Sequence, residues 1–168
     1  MDKPQIAQKG GNRLIFSLLN EYGASHQNGT NKFIHWIAVP VIAWTVVALF
    51  WAIPVPDVFA AVPYLNWATI VLLLTIIYYA VLSWTLAIGM VLFALLCIGG
   101  VQLYMSTPLF GLSLWQFAVG VFVIAWIFQF VGHKIEGKKP SFFKDVQFLL
   151  IGPAWLMGFI YRKLNIPI

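Results

Sequence analysis

Between Asp57 and Lys134 the chain runs for 76 positions, 58 to 133, without one Asp, Glu, Lys or Arg. A soluble domain carries about 25% charged residues; this chain has 9%, with 61% hydrophobic, and could not cover its own surface. At 168 residues it has room for one domain. Those limits exclude a soluble enzyme, a disordered tail and a disulfide scaffold. The expectation is an all-α integral membrane protein, its long apolar runs read as spanning helices.

A bilayer core of about 30 Å takes roughly 20 apolar residues per helix. Four spans are expected, at about 33–53, 64–82, 84–105 and 112–132, within one transmembrane domain covering 1–168. Pro54-Val55-Pro56-Asp57 closes the first span, and Pro63 precedes the second. Only a tight turn separates the second from the third, and Ser106, Thr107, Pro108 and Gly111 form the last loop.

The ten basic residues fall at the two ends: Lys3, Lys9, Arg13 and Lys32, then Lys134, Lys138, Lys139, Lys144, Arg162 and Lys163. Positive residues favour the cytoplasmic side, so both ends are expected there, which requires an even number of spans. The net charge of +5 is then a topology signal and not a nucleic-acid one. A multi-pass protein with cytoplasmic termini follows, in the endoplasmic reticulum of a eukaryote or the inner membrane of a bacterium.

Two end segments complete the expected four-helix transmembrane bundle. Leu14, Ile15, Leu18, Leu19 and Tyr22 recur at helical spacing opposite Arg13, Ser17, Asn20 and Glu21, which reads as an interfacial N-terminal helix. Phe148 to Tyr161 is apolar but short and carries Gly152-Pro153, so a re-entrant or interfacial segment is expected, with a fifth span from near Phe142 as the alternative. Cys97 is the only cysteine, so no intrachain disulfide or thiolate metal cluster can form.

The three histidines, His26, His35 and His133, all fall at the cytoplasmic edge of this topology. His26 and His35 lie nine residues apart, on opposite faces of any continuous helix, so they meet only if the chain folds back between them. Gln27-Asn28-Gly29-Thr30-Asn31 supplies turn chemistry there. Gln129 at i−4 and Glu136 at i+3 share a helix face with His133. Three nitrogen or carboxylate ligands with open positions suit non-haem iron(II) and oxygen. Against this, an interfacial histidine is often a headgroup contact, Glu136 with Lys134, Lys138 and Lys139 reads as a solvated basic loop, and Gln129 can simply bond a neighbouring helix. On the residues alone both readings stand.

The blocks Tyr22-Gly-Ala-Ser-His26, Asn31-Lys32-Phe-Ile-His35-Trp36 and Val39-Pro40, followed by Gln129-Phe130-Val-Gly132-His133-Lys-Ile-Glu136-Gly with Pro140 and Gly152-Pro153, resemble the signatures of a membrane 2-hydroxy fatty acid dioxygenase family. A fungal member of that family acts in phytosphingosine breakdown. The resemblance runs from about Asn20 to Trp155, with Ser141 standing where alanine is expected. It implies an iron(II) enzyme of fatty-acid α-oxidation that turns a 2-hydroxy fatty acid and O2 into an acid one carbon shorter and CO2. It also implies His26, His35 and His133 as iron ligands, with Glu136 in a less defined catalytic role. Asn31 and Gln129 would orient the imidazoles, and Lys32 would pair the substrate carboxylate. Membrane lipids and the fatty acid are the expected partners. A zinc-dependent membrane lipid hydrolase, which three histidines and a water also allow, is the alternative enzyme. A haem-binding or transport bundle is the non-enzymatic one.

Overall fold

The computed structural model describes residues 13–137 and 142–168. Lys3, Lys9, Lys138, Lys139, Pro140 and Ser141 lie outside them. The described chain contains six α-helices and no strand: α1 (Arg13–Ala24), α2 (Gly29–Trp51), α3 (Trp67–Leu82), α4 (Trp84–Ser106), α5 (Leu114–Glu136) and α6 (Phe142–Lys163), with short 3₁₀ turns at Asp57–Ala61 and Leu109–Gly111.

Local capping explains where the helices depart from the expected edges. The Asn28 side chain accepts from Thr30 N at 2.9 Å and Asn31 N at 3.4 Å, so α2 begins well before Phe33. Asn66 and Thr69 form a reciprocal capping box that starts α3 at Trp67 rather than Tyr64. Ser83 alone, in an extended conformation, separates α3 from α4 and caps the latter. Gly137, at φ 73°, ends α5 in the left-handed conformation that glycine adopts without strain. α5 therefore carries His133 and Glu136 on its last turn.

Three helices, α2, α4 and α5, each of 23 residues, are long and apolar enough to cross a membrane. α3, at 16 residues, is shorter than the expected second span. α6 runs unbroken through Gly152-Pro153, where a break was expected. Gly152 there permits close packing instead of a break, since a Cβ would stand 3.1 Å from Val39 Cγ1 and 3.2 Å from the Tyr22 hydroxyl.

Two apolar clusters organise the molecule. At one end α1 and α6 pack together over the neighbouring ends of α3 and α4, burying Ile15, Phe16, Leu19, Leu86, Ile151, Ala154 and Trp155. The hydroxyls of Tyr79 and Tyr161 reinforce this layer by donating to the carbonyls of Leu150 and Thr85. The apolar face expected to make α1 interfacial is thus spent on α6, with Leu14 alone of that set left exposed. Farther along the bundle, Val47 and Ala48 of α2 meet Ala68 of α3, Cys97 and Val101 of α4 and Ala118 of α5. Cys97 is a small buried residue packed in this cluster. α5 packs chiefly on α2, while α6 rests on α1, α2 and α4.

This packing predicts that Gly152→Leu lowers the thermal stability of the detergent-solubilised protein by about 1–3 kcal/mol, the cost of overfilling a close contact. Gly99→Leu should cost little, because nothing lies within 4 Å of its Cβ position. Equal effects of the two substitutions would contradict the packing described.

Candidate metal centre

The fold-back between α1 and α2 begins with hydrogen bonds from Ser25 N and His26 N to the carbonyls of Tyr22 and Gly23, at 3.2 and 3.0 Å. It sets His26 beside His35 on the first turns of α2. The antiparallel neighbour α5 brings His133 to the same place. Ring centroids lie 4.3 Å apart for His26 and His35, 5.3 Å for His26 and His133, and 5.0 Å for His35 and His133. One nitrogen from each ring falls within 4.8 Å of the others, so the three could hold a metal ion.

Two of the rings have a defined tautomer. His26 Nδ1 lies 2.7 Å from the Tyr22 carbonyl and His35 Nδ1 lies 2.9 Å from the Asn31 carbonyl. A carbonyl only accepts, so both Nδ1 atoms carry hydrogen and both Nε2 atoms present a lone pair. Those Nε2 atoms are buried with no hydrogen-bond partner among the described residues. Leaving two buried acceptors unmet costs about 1–3 kcal/mol each, whereas a metal ion would satisfy both. Donation of the second ring nitrogen to a carbonyl is also how metal-binding histidines are ordinarily oriented. The donor set therefore fits a transition metal.

Aromatic packing and burial hold His26 neutral. Tyr22 stacks on its ring at 4.2 Å with 12° between planes, and Trp155 lies at 5.3 Å. Desolvation pushes the imidazole from 6.5 down to about 4, against the opposing pull of the Tyr22 carbonyl. A neutral ring is the form that binds a metal.

Glu136 serves this cluster from outside it. One carboxylate oxygen accepts from Gln27 N at 2.8 Å, and the other accepts from Asn28 N at 2.9 Å and from Asn31 Nδ2 at 3.0 Å. The last turn of α5 is thereby tied to the loop that carries His26 and to the turn that precedes His35. Asn31, fully buried, also donates to Ser25 O at 3.3 Å. Its Oδ1 points at the place where a Cβ would stand on Gly132, closer than any real Cβ could lie. The α2–α5 approach needs glycine there, and the glycine hydrogen faces the amide oxygen in the manner of a weak Cα–H···O contact.

The sequence-derived residues separate accordingly. His26, His35 and His133 converge, and Glu136 and Asn31 bind each other beside them. Asn31 accepts from His35 Nδ1 through its main-chain carbonyl. Gln129 lies alongside His35 without the geometry of a full hydrogen bond. Lys32, half-buried on the first turn of α2, is not among the residues lining the cleft beside the histidines.

A family model described as 2-hydroxy-palmitic acid dioxygenase Mpo1-like matches residues 15–164. The chain belongs to the Mpo1-like family. No curated protein and no solved structure matches it at a significant level. In this Mpo1-like chain the cleft also includes Ile42, Trp126, Phe148 and Leu149, which the sequence reading did not single out. Ile42 follows His35 by seven residues and Trp126 precedes His133 by seven, so two-turn helical spacing from each histidine would have found them.

Two outcomes follow. Glu136→Ala and Gly132→Ala should each weaken metal binding roughly 10- to 100-fold, the usual cost of losing a residue that orients ligands, as read by metal titration calorimetry. Unchanged affinity would contradict the tie between loop and helix. Because the folded His26 resists protonation, its contribution to stability is complete above pH 6.5. It is lost as pH falls from 6.5 through 4, where the unfolded chain takes up a proton and the folded one does not. Thermal melts of metal-free protein should show that decline, and His26→Gln should reduce it.

Proposed function

We propose that this protein is an iron(II)-dependent dioxygenase of fatty-acid α-oxidation. It would convert a 2-hydroxy fatty acid and O2 into a fatty acid one carbon shorter, CO2 and water. The observation that carries the reading is the convergence of three imidazoles, two of them with buried, unmet Nε2 atoms. The family's description names the 2-hydroxy acid and the dioxygenase chemistry.

The balance is R–CH(OH)–COOH + O2 → R–COOH + CO2 + H2O. Oxidation at C2 and loss of C1 supply all the electrons that reduce the oxygen, so no external reductant enters. His26, His35 and His133 would hold the iron. When bound, it supplies open coordination positions that gather the substrate's carboxylate and 2-hydroxyl with oxygen in one place, the proximity contribution to rate.

The remaining work belongs to the chain itself. The Tyr22 and Asn31 carbonyls keep the Nδ1 protons in place so that the imidazoles face the cluster with lone pairs. Glu136 keeps the 27–31 turn against α5, which maintains the spacing of the rings. Gln129, at the polar end of the cleft, offers an amide to the hydroxy-acid head. Lys32 and the other basic residues at this end draw an anionic headgroup toward the site. Four passes through the bilayer, with α3 the shortest, put both ends and the histidines on the cytoplasmic side by the positive-inside rule.

The rival uses of three histidines fit less well. Rings in edge contact at 4.3 to 5.3 Å leave no slot for a porphyrin between them. A zinc hydrolase would use the same nitrogen donors, but the family's description is that of an oxygen-consuming enzyme.

Anaerobically purified protein loaded with iron(II) should consume oxygen when given 2-hydroxypalmitate, with the one-carbon-shorter acid formed in equal amount. Zinc loading should give no uptake, and His133→Ala should abolish both uptake and iron retention. Full activity in a folded His133→Ala protein would overturn the assignment.

A further inference from the structure

The cleft beside the histidines has a direction. On α2, His35, Val39 and Ile42 stand at i, i+4 and i+7, and on α5 His133, Gln129 and Trp126 stand at the matching positions counted backwards. The two helices are antiparallel neighbours. Both rows therefore descend side by side for about 10 Å, at 1.5 Å per residue. Phe148 and Leu149 of α6 form the facing wall.

Polarity changes along the same line. His26, His133 and Gln129 stand at one end, while Val39, Ile42 and the indole of Trp126 lie farther along. Thr45, three residues beyond Ile42, is fully buried, with its hydroxyl donating to the Ile42 carbonyl at 2.8 Å, and it is not among the residues lining the cleft. Trp126 is held between Phe122 and Phe130, at ring separations of 5.9 and 5.6 Å, so it stands as a fixed floor. Among the described residues α5 and α6 scarcely pack on each other, and apolar residues next in sequence to the lining ones, Ile127, Phe130 and Leu150, are exposed. Clefts with an apolar body and a few polar groups at one end are the usual form of small-molecule sites.

We propose that this cleft is the binding subsite for the alkyl chain of the substrate. The carboxyl end lies at the histidines, the adjoining methylenes descend between α2 and α5, and Ile42 with Trp126 turns the remainder outward through the α5–α6 opening into lipid. The continuity of the cleft with the histidine cluster and the apolar side chains of Val39, Ile42, Phe148 and Leu149 that line it select this occupant. The inference rests on the proposed function for the identity of the head group, but the subsite can be tested without catalysis.

The probe is 2-hydroxypalmitic acid carrying a photoreactive diazirine near mid-chain, applied to the full-length, iron-loaded protein in lipid nanodiscs. Labels are expected on Ile42, Trp126 and Phe148, and an excess of unmodified 2-hydroxypalmitate should suppress them. Labels confined to outward residues of α4 such as Leu92 and Leu96, or labels that competition does not suppress, would overturn the subsite. In a second measurement, Ile42→Trp should weaken binding of long-chain 2-hydroxy acids by about fourfold for each methylene excluded, the equivalent of its transfer free energy. Short-chain acids should bind as before, and equal loss for both lengths would contradict the floor. Suppressible labels at these positions in a protein that takes up no oxygen would uphold the subsite and remove the dioxygenase reading. Oxygen uptake with labels elsewhere would do the reverse.

Discussion

Where the start of α2 meets the end of α5, one carboxylate takes two main-chain N–H groups and one side-chain amide. That interaction, from Glu136 to Gln27, Asn28 and Asn31, joins parts of the chain more than a hundred positions apart. Hydrogen bonds to an ionised acceptor are about twice as strong as neutral ones, and this group caps a turn that would otherwise leave two backbone donors unmet. Asn31 extends the connection inward: its amide binds Glu136, its carbonyl orients His35, and its oxygen rests against Gly132, one residue before His133. The spacing of the three imidazoles depends on that chain of contacts.

The rest of the molecule gives the site its setting. α1 and α6 make a packed layer at the histidine end, and through Tyr22 and Trp155 they enclose His26. The helices beyond that layer are apolar on nearly all sides, so polar chemistry is concentrated at one end of an otherwise greasy bundle. For an enzyme of membrane fatty acids this arrangement separates two tasks. Under the proposed function the head group would meet nitrogen donors at the edge, and the chain would stay in apolar surroundings.

Much of this was legible in the sequence because its causes are local. Helix type followed from the uncharged run, the fold-back at 27–31 from turn residues, and the meeting of the histidines from that fold-back plus antiparallel helices. Glu136 was visible as a neighbour of His133, but its hydrogen-bond partners Gln27, Asn28 and Asn31 come from the other end of the chain. Gly132 and Gly152 carry no signal of what approaches them, and Gly152-Pro153 imitated a break that tertiary packing overrode. On α1, α6 covers most of the apolar face that periodicity marked, and Leu14 alone of that set is exposed.

The central claim is that His26, His35 and His133 together hold one metal ion. X-ray absorption at the iron edge of anaerobic, iron(II)-loaded protein tests it most directly. The account predicts three imidazole nitrogens in the first coordination shell, with the remaining positions filled by solvent oxygen and no bidentate carboxylate from Glu136. A shell without imidazole scattering, or one unchanged in His35→Ala protein, would contradict it.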